Sequence, residues 1–192
     1  MVNKSNILVA SDTVTGGVAL APLGATEPTD VATALPEAFQ RAGYVSSDGV
    51  ERNESVDTDT IKAWGGNTVR IVKKSTEVTI NFAFLEYLNP VVQKAIYGDG
   101  HVKSTKATTE HGNQIELDGV IEMGPHRILV IEMVDGDIRG RLVFHDVQIS
   151  SREKYTAKDA ETMVRKVTFT AFPDENGSYF HEYWDDGRKT AA

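Results

Sequence analysis

The chain has no cysteine among its 192 residues, which removes disulfide frameworks, thiolate metal sites and cysteine nucleophiles at once. No apolar run approaches the roughly 20 residues that a helix needs to cross a bilayer. The start, MVNKSNILVASDTVTGG, holds one lysine and a four-residue apolar run, Ile7 to Ala10, too short for the core of a secretory signal. The expectation is a soluble protein kept in the cytoplasm, with no membrane partner. Basic runs are missing as well. Lys73-Lys74 and the dispersed arginines form none, and the net charge is -8 with a pI near 5.1. Affinity for nucleic acid rests on neutralising phosphates with Lys and Arg, so nonspecific adhesion to DNA is opposed. The acidity either keeps the protein soluble or gives it a surface to which a polyanion does not stick.

Catalytic patterns are also lacking. There is no phosphate-binding glycine loop, no nucleophile elbow and no two-histidine metal helix. The five histidines, His101, His111, His126, His145 and His181, never fall at i, i+2 or i+4, so a metal site would have to be gathered from separate strands. Asp135-Gly136-Asp137 lacks the later carboxylates of a calcium loop and reads as a hairpin turn. The acid pairs Asp57/Asp59 and Asp185-Asp186 have no apolar flanks to bury them and separate their pKa values; they read as solvated surface. The aromatic run 179-YFHEYW-184 suits core and interface, with stacking on a sugar or base as the alternative. No catalytic, cofactor-binding or metal residues are expected, no cofactor and no enzymatic activity.

What the chain does have is period-two alternation. In 76-TEVTINFAFLE-86, Val78, Ile80, Phe82 and Phe84 point one way and Thr79, Asn81 and Ala83 the other, as in a half-buried strand. The run 67-NTVRIVKK-74 alternates similarly and reads as its hairpin partner. Further strands are expected at Val18 to Ala21, His101 to Thr108, Gln114 to Leu117, His126 to Val134, Ile138 to Ser150, Met163 to Phe172 and Tyr179 to Trp184. The inward phase of the Ile138 strand shifts between Leu142, Phe144 and Val147, Ile149, which a β-bulge near His145 would produce. One helix is clear, about residues 89–97, with Asn89 as N-cap, Pro90 at the first position and Gly98 as the stop. A second, brief helix is expected over Pro36 to Ala42. Many strands, one short flanking α-helix and short turns describe a mainly β protein, an antiparallel β-sandwich or barrel. With no interior linker or repeat, 1–192 reads as a single domain whose first 35 residues, including the spacer 24-GATEPTD-30, are extended.

One stretch resists that scheme. Between Gly43 and Gly66 the chain reads GYVSSDGVERNESVDTDTIKAWGG: 13 mostly polar residues, Ser46 to Thr58, closed by Ile61, Trp64 and a glycine pair. A polar loop needs no special explanation, whereas one ending in a large apolar anchor does.

The run 21-APLGATEPTDVATALPEAFQRAGYVSSDGV-50, followed by 61-IKAWGG-66 and by 76-TEVTINFAFLEYLNPVVQKAIYGD-99, resembles the major tail tube proteins of long-tailed bacteriophages (siphoviruses). The likeness is closest to those of phages infecting actinobacteria. It implies a sandwich or barrel-like subunit of the phage tail tube type. Six such subunits form a ring, and rings stack into a hollow tube that delivers DNA to the host. It also implies contacts with a tape-measure protein and with tail tip and tail terminator proteins, assembly in the host cytoplasm, and residence in the virion tail. DNA passes through the lumen of such tubes without specific binding. Some relatives add an immunoglobulin-like carboxy-terminal domain, which 187-GRKTAA-192 leaves no room to expect here. A subunit that polymerises must not do so early, and leaving the contacting segment unordered until a partner orders it is one solution. The stretch about 44–66 is therefore expected to be a long polar assembly loop that docks on an adjacent ring through Tyr44, Val45, Val50, Ile61, Trp64, Gly65 and Gly66. The alternatives are a monomeric carbohydrate-binding β-sandwich and another ring-forming tail component such as a terminator.

Overall fold

A computed structural model describes residues 7–13 and 16–189. Parts of the extended segment expected over 1–35, and the end of 187-GRKTAA-192, lie outside the described residues. The strands are β1 (Ser11–Asp12), β2 (Val18–Pro22), β3 (Gln40–Gly43), β4 (Glu51–Lys62), β5 (Thr68–Phe84), β6 (Val102–Thr105), β7 (Gln114–Leu117), β8 (Arg127–Asp135), β9 (Ile138–Arg152), β10 (Arg165–Phe172) and β11 (Phe180–Asp185). Every pairing is antiparallel. The main sheet runs β3-β2-β8-β9-β10-β5-β4, with β1 added on β8 and β11 on β9, while β6 and β7 form a separate hairpin.

The length of β9 turns this ladder into two layers. Its first part, Arg139 to Phe144, lies between β8 and β11, and its second part, from Asp146 on, pairs with β10. Between the two, Phe144 faces Leu129 and Val147 faces Arg127, so His145 and Asp146 stand opposite Ile128 alone. This is the expected bulge. It resets the alternation so that Leu142, Phe144, Val147 and Ile149 all feed one core. That core also takes Leu20, Leu129 and Ile131 from one layer and Ile80, Phe82, Phe84, Val167 and Phe169 from the other. Phe82 and Phe169 stack with centroids 5.5 Å apart.

The helix α1 (Pro90–Tyr97) is built as its sequence requires. The Asn89 side chain accepts from the Val91 N–H, and the Gly98 N–H donates to the Lys94 carbonyl. Val92, Ala95 and Ile96 are buried in the same core. Beyond β3 the chain changes layer at Gly43, whose φ is +83° and where a Cβ would stand 1.9 Å from the Glu86 carboxyl carbon. It then meets the end of β5 through one bridge, Val45 to Phe84, and two flanking hydrogen bonds. An isolated bridge does not make a ladder, so the architecture is an open antiparallel sandwich rather than a closed barrel.

Two expected elements differ. Pro36 to Ala42 is not a helix: the Phe39 N–H closes a single turn on the Pro36 carbonyl, and β3 begins at Gln40. Helical geometry there would take Gln40 and Arg41 off their β2 partners and Phe39 off the sheet. Residues 67–74 are not the hairpin partner of 76–86; 68–74 and 76–84 belong to one strand, β5, and Lys73-Lys74-Ser75 between them holds no glycine, proline, Asn or Asp.

The segment between β2 and β3 covers the outer face of β2, β8 and β9. There Ala19, Ala21, Ile128, Val130 and Val143 form a second core with Phe39, flanked by Ala25 and Leu35. A buried guanidinium holds that cover in place. Arg141 donates from Nη1 to the Asp30 and Thr33 carbonyls at 2.7 and 2.9 Å, and from Nη2 to Glu132 Oε1 at 2.6 Å. Glu132 Oε2 pairs with Arg41 at 2.6 Å. Asp30 shapes the segment by accepting from the Ala32 and Thr33 N–H groups and the Thr33 hydroxyl. Glu27 adds a 2.8 Å contact to His145 Nδ1 at the bulge.

Burial alone would raise the Glu132 pKa, but hydrogen bonds from Arg141 and then Arg41 outweigh it and hold the carboxyl below its ordinary value. A depressed folded-state pKa stabilises the fold above the unfolded value of about 4.3, and that contribution disappears as pH falls through the folded value. Glu132→Gln leaves Arg141 buried without its counter-charge and is expected to cost about 3–5 kcal/mol at neutral pH. Urea unfolding measured from pH 7 to pH 3 should also show a flatter acid limb for the variant, since its largest loss has already occurred.

Candidate functional site

The polar stretch of the sequence is a strand. Residues 51–62 form β4, paired with β5 from Asn81 opposite Glu51 to Thr68 opposite Lys62. The run Glu-Arg-Asn-Glu-Ser-Val-Asp-Thr-Asp-Thr holds several turn-favouring residues but no glycine or proline, and β4 has a partner along its whole length; a strand exposed on both faces shows no apolar period by which sequence reading detects it. At its root Ile80 and Val78 of β5 are buried, while from Thr68 to Ser75 every β5 residue is exposed. β10 reaches only as far as Val78. Past that point β4 and β5 form a two-stranded arm with two free edges. From the root at Glu51, β4 spans roughly 36 Å, and its eight residues past Glu54, the partner of Val78, make a free ribbon of roughly 26 Å at about 3.3 Å per residue.

The arm has no core of its own, yet it carries apolar side chains. Cross-strand partners share a face, which places Ile71 with Thr60 on one face and Val72 with Asp59 on the other. Val56, Ile61, Val69 and Ile71 are each more than half exposed. Asp57 and Asp59, read as solvated acids, are exposed here, and Asp59 lies 3.5 Å from Lys74. The tip is the turn 63-AWGG-66. The Ala63 N–H donates to the Asn67 carbonyl, and the Gly66 N–H to the Ala63 carbonyl. Gly65 and Gly66 sit at φ +103° and +91°, left-handed geometry that explains the glycine pair. Trp64 is fully exposed.

The seven residues expected to act together are therefore split. Ile61, Trp64, Gly65 and Gly66 are at or beside the tip. Tyr44, Val45 and Val50 are at the root, where Val45 packs against the main core and Tyr44 and Val50 are partly exposed. Sequence reading missed the β5 side of the arm, Val69, Ile71 and Val72, because their alternation looks like that of a half-buried strand. An isolated two-stranded hairpin is marginal in water, and exposed apolar residues on both faces mark a surface that another molecule covers.

No other region of the described residues assembles a catalytic or metal-binding cluster. Among the described residues no three His, Asp or Glu side chains cluster as metal ligands. His145 and His181 meet edge to face at 4.8 Å, but His145 Nδ1 is already engaged by Glu27. In the aromatic run, Tyr179 and Phe180 pack on the main core and Tyr183 on the second. Trp184 covers Gly140, where a Cβ would stand 2.3 Å from its ring, and its Nε1–H donates to Glu182. Tyr179, Phe180 and Tyr183 are committed to packing, while Trp184 stays partly exposed over Gly140. No described helix is long and apolar enough to cross a membrane.

Residues 1–191 match the family described as phage tail tube protein. No curated protein matches the chain.

Because Trp64 touches nothing in its own subunit, Trp64→Ala is expected to change the free energy of unfolding by no more than about 0.5 kcal/mol. Ile80→Ala, inside the main core at the arm root, is expected to cost about 2–5 kcal/mol. Urea titrations of the two variants beside the parent chain check the contrast.

Proposed function

Since the chain belongs to the phage tail tube protein family, and is thus a structural component of the virion tail, we propose that its copies close into hexameric rings. The rings stack into the hollow tube of a long, siphovirus-type tail, and the arm is the contact between one ring and the next. Each copy contributes one domain with no catalytic role and no cofactor. The observation that carries this reading is the arm itself: a ribbon whose outer part, about 26 Å long, is free at both edges, with Val56, Ile61, Val69 and Ile71 exposed and Trp64 at its end. Burying one large apolar side chain contributes roughly 1.5–3 kcal/mol, and six arms per ring multiply a contact too weak to join two free subunits. That multiplication favours growth on an existing ring over pairing of monomers.

A ring needs one pair of complementary patches and a stack needs another, so the arm and the flanks of the sandwich serve different contacts. Six copies would carry six times the -8 charge of each chain, which repels phosphates and lets DNA pass through the lumen without binding. A tape-measure protein inside the growing tube, and tip and terminator proteins at its ends, are the further partners. Assembly takes place in the host cytoplasm.

Purified Trp64→Ala chain is expected to remain folded by circular dichroism yet to form no tubes by negative-stain electron microscopy. Tubes of normal length from that variant would show that the tip is not an assembly contact.

A further inference from the structure

The molecule has a groove that fits its own tip but lies out of the tip's reach. At the arm root, between β1, the β2–β8 pair and the turn that precedes β4, an open depression of about 450 Å³ has Val45, Ile131 and Met133 among its lining residues. Liquid water occupies about 30 Å³ per molecule, so the depression has room for a ring system. Ser46 lines it as well, and the Ser46 Oγ is buried with no hydrogen-bond partner among the described residues. Asp12 and Asp48 are exposed at its margin.

Each of these features has a counterpart at the tip. An indole offers a large apolar face and one N–H that only donates, and Trp64 is fully exposed. Ser46 Oγ is the missing acceptor. The Met133 thioether is the kind of adaptable group that packs on an aromatic ring. Lys62, two residues before Trp64, has no ion-pair partner among the described residues, and neither do Asp12 and Asp48. The arm holds its tip about 36 Å from its root, so a chain cannot fill its own groove. The occupant has to come from a second copy.

We propose that Trp64 of one copy seats in the arm-root groove of the next, its indole N–H on Ser46 Oγ and Lys62 facing the acids Asp12 and Asp48. The proposal rests on the arm being the contact between rings and adds the receiving site. Tip and groove are different patches at opposite ends of one arm, so the contact is head-to-tail and leaves a free tip and a free groove after every addition. The turn at the base of the arm is thereby both a root and a receptor.

Because the chain has no cysteine, two single variants test this directly. Ala63→Cys labels the tip and Ser47→Cys the groove. The two are mixed with an equal amount of unmodified chain, assembled, and treated with a short bis-maleimide. The expected result is a covalent dimer containing one of each variant, formed in tubes and absent when either variant is assembled alone. Tubes that yield no such dimer overturn the groove assignment while leaving the arm reading intact. In a second arm, Lys62→Glu should raise the concentration needed for assembly about tenfold, and adding Asp48→Lys to the same chain should restore it; failure of the restoration also counts against the groove. If the unmodified chain forms no tubes, the reading on which the proposal rests fails, and the proposal with it.

Discussion

Most of the architecture depends on a single extra residue in β9. A strand's side chains alternate strictly, so a strand that serves two layers would present the wrong face to one of them. The bulge at His145 and Asp146, opposite Ile128, removes that conflict. Before it, Leu142 and Phe144 point into the main core; after it, Val147 and Ile149 do the same. The bulge therefore decides that β10 and β5 close over β2 and β8 rather than extend beside them. It also brings His145 to Glu27, which ties the covering segment to the point where the layers divide.

The other face of the same sheet is closed by chain rather than by a second sheet. Ile128, Val130 and Val143 face outward from the main core, and the segment between β2 and β3 covers them. Half of that segment's apolar residues are alanine, and its fixed points are polar: Arg141 to two carbonyls, Glu132 between two arginines, Asp30 folding the backbone that presents those carbonyls. A buried ion pair is weak evidence for stability as such. Here its value is positional, since it specifies where a proline- and threonine-rich segment lies on an apolar surface.

The arm stands in contrast to both cores. The subunit spends its buried apolar residues on the sandwich and leaves those of the arm uncovered, so folding and association draw on different parts of the sequence. A protein that must persist as a free subunit before it polymerises is served by that division. The same division explains what was legible. The helix at 90–97 was readable because Asn89, Pro90 and Gly98 are local signals, β8 because it is a short apolar run buried on both faces, and β9 and β10 because their apolar residues recur in alternation. The bulge was readable as a break in phase. β4 was not, because a strand wet on both faces has no period of burial, and polar residues in alternation look like those of a loop. The continuity of β5 through Lys73-Lys74-Ser75 was hidden for a related reason. Its distal half alternates like a core strand, yet it packs on nothing in its own chain.

The sequence by itself determined the class of fold, the helix, the hairpin turn at 135–137 and the absence of any catalytic pattern, since each follows from local conformational preference or from residue types that are missing. It also marked Trp64 and its glycine pair as needing an explanation. Only the tertiary structure decided that the stretch before Trp64 is a projecting strand, that Tyr44, Val45 and Val50 lie far from the tip, and that 23–39 covers the back of the sheet. Those outcomes depend on which strands find partners and where the partners end. β10 stops opposite Val78, and nothing within the local sequence of β4 or β5 announces that the ribbon continues past it without a neighbour.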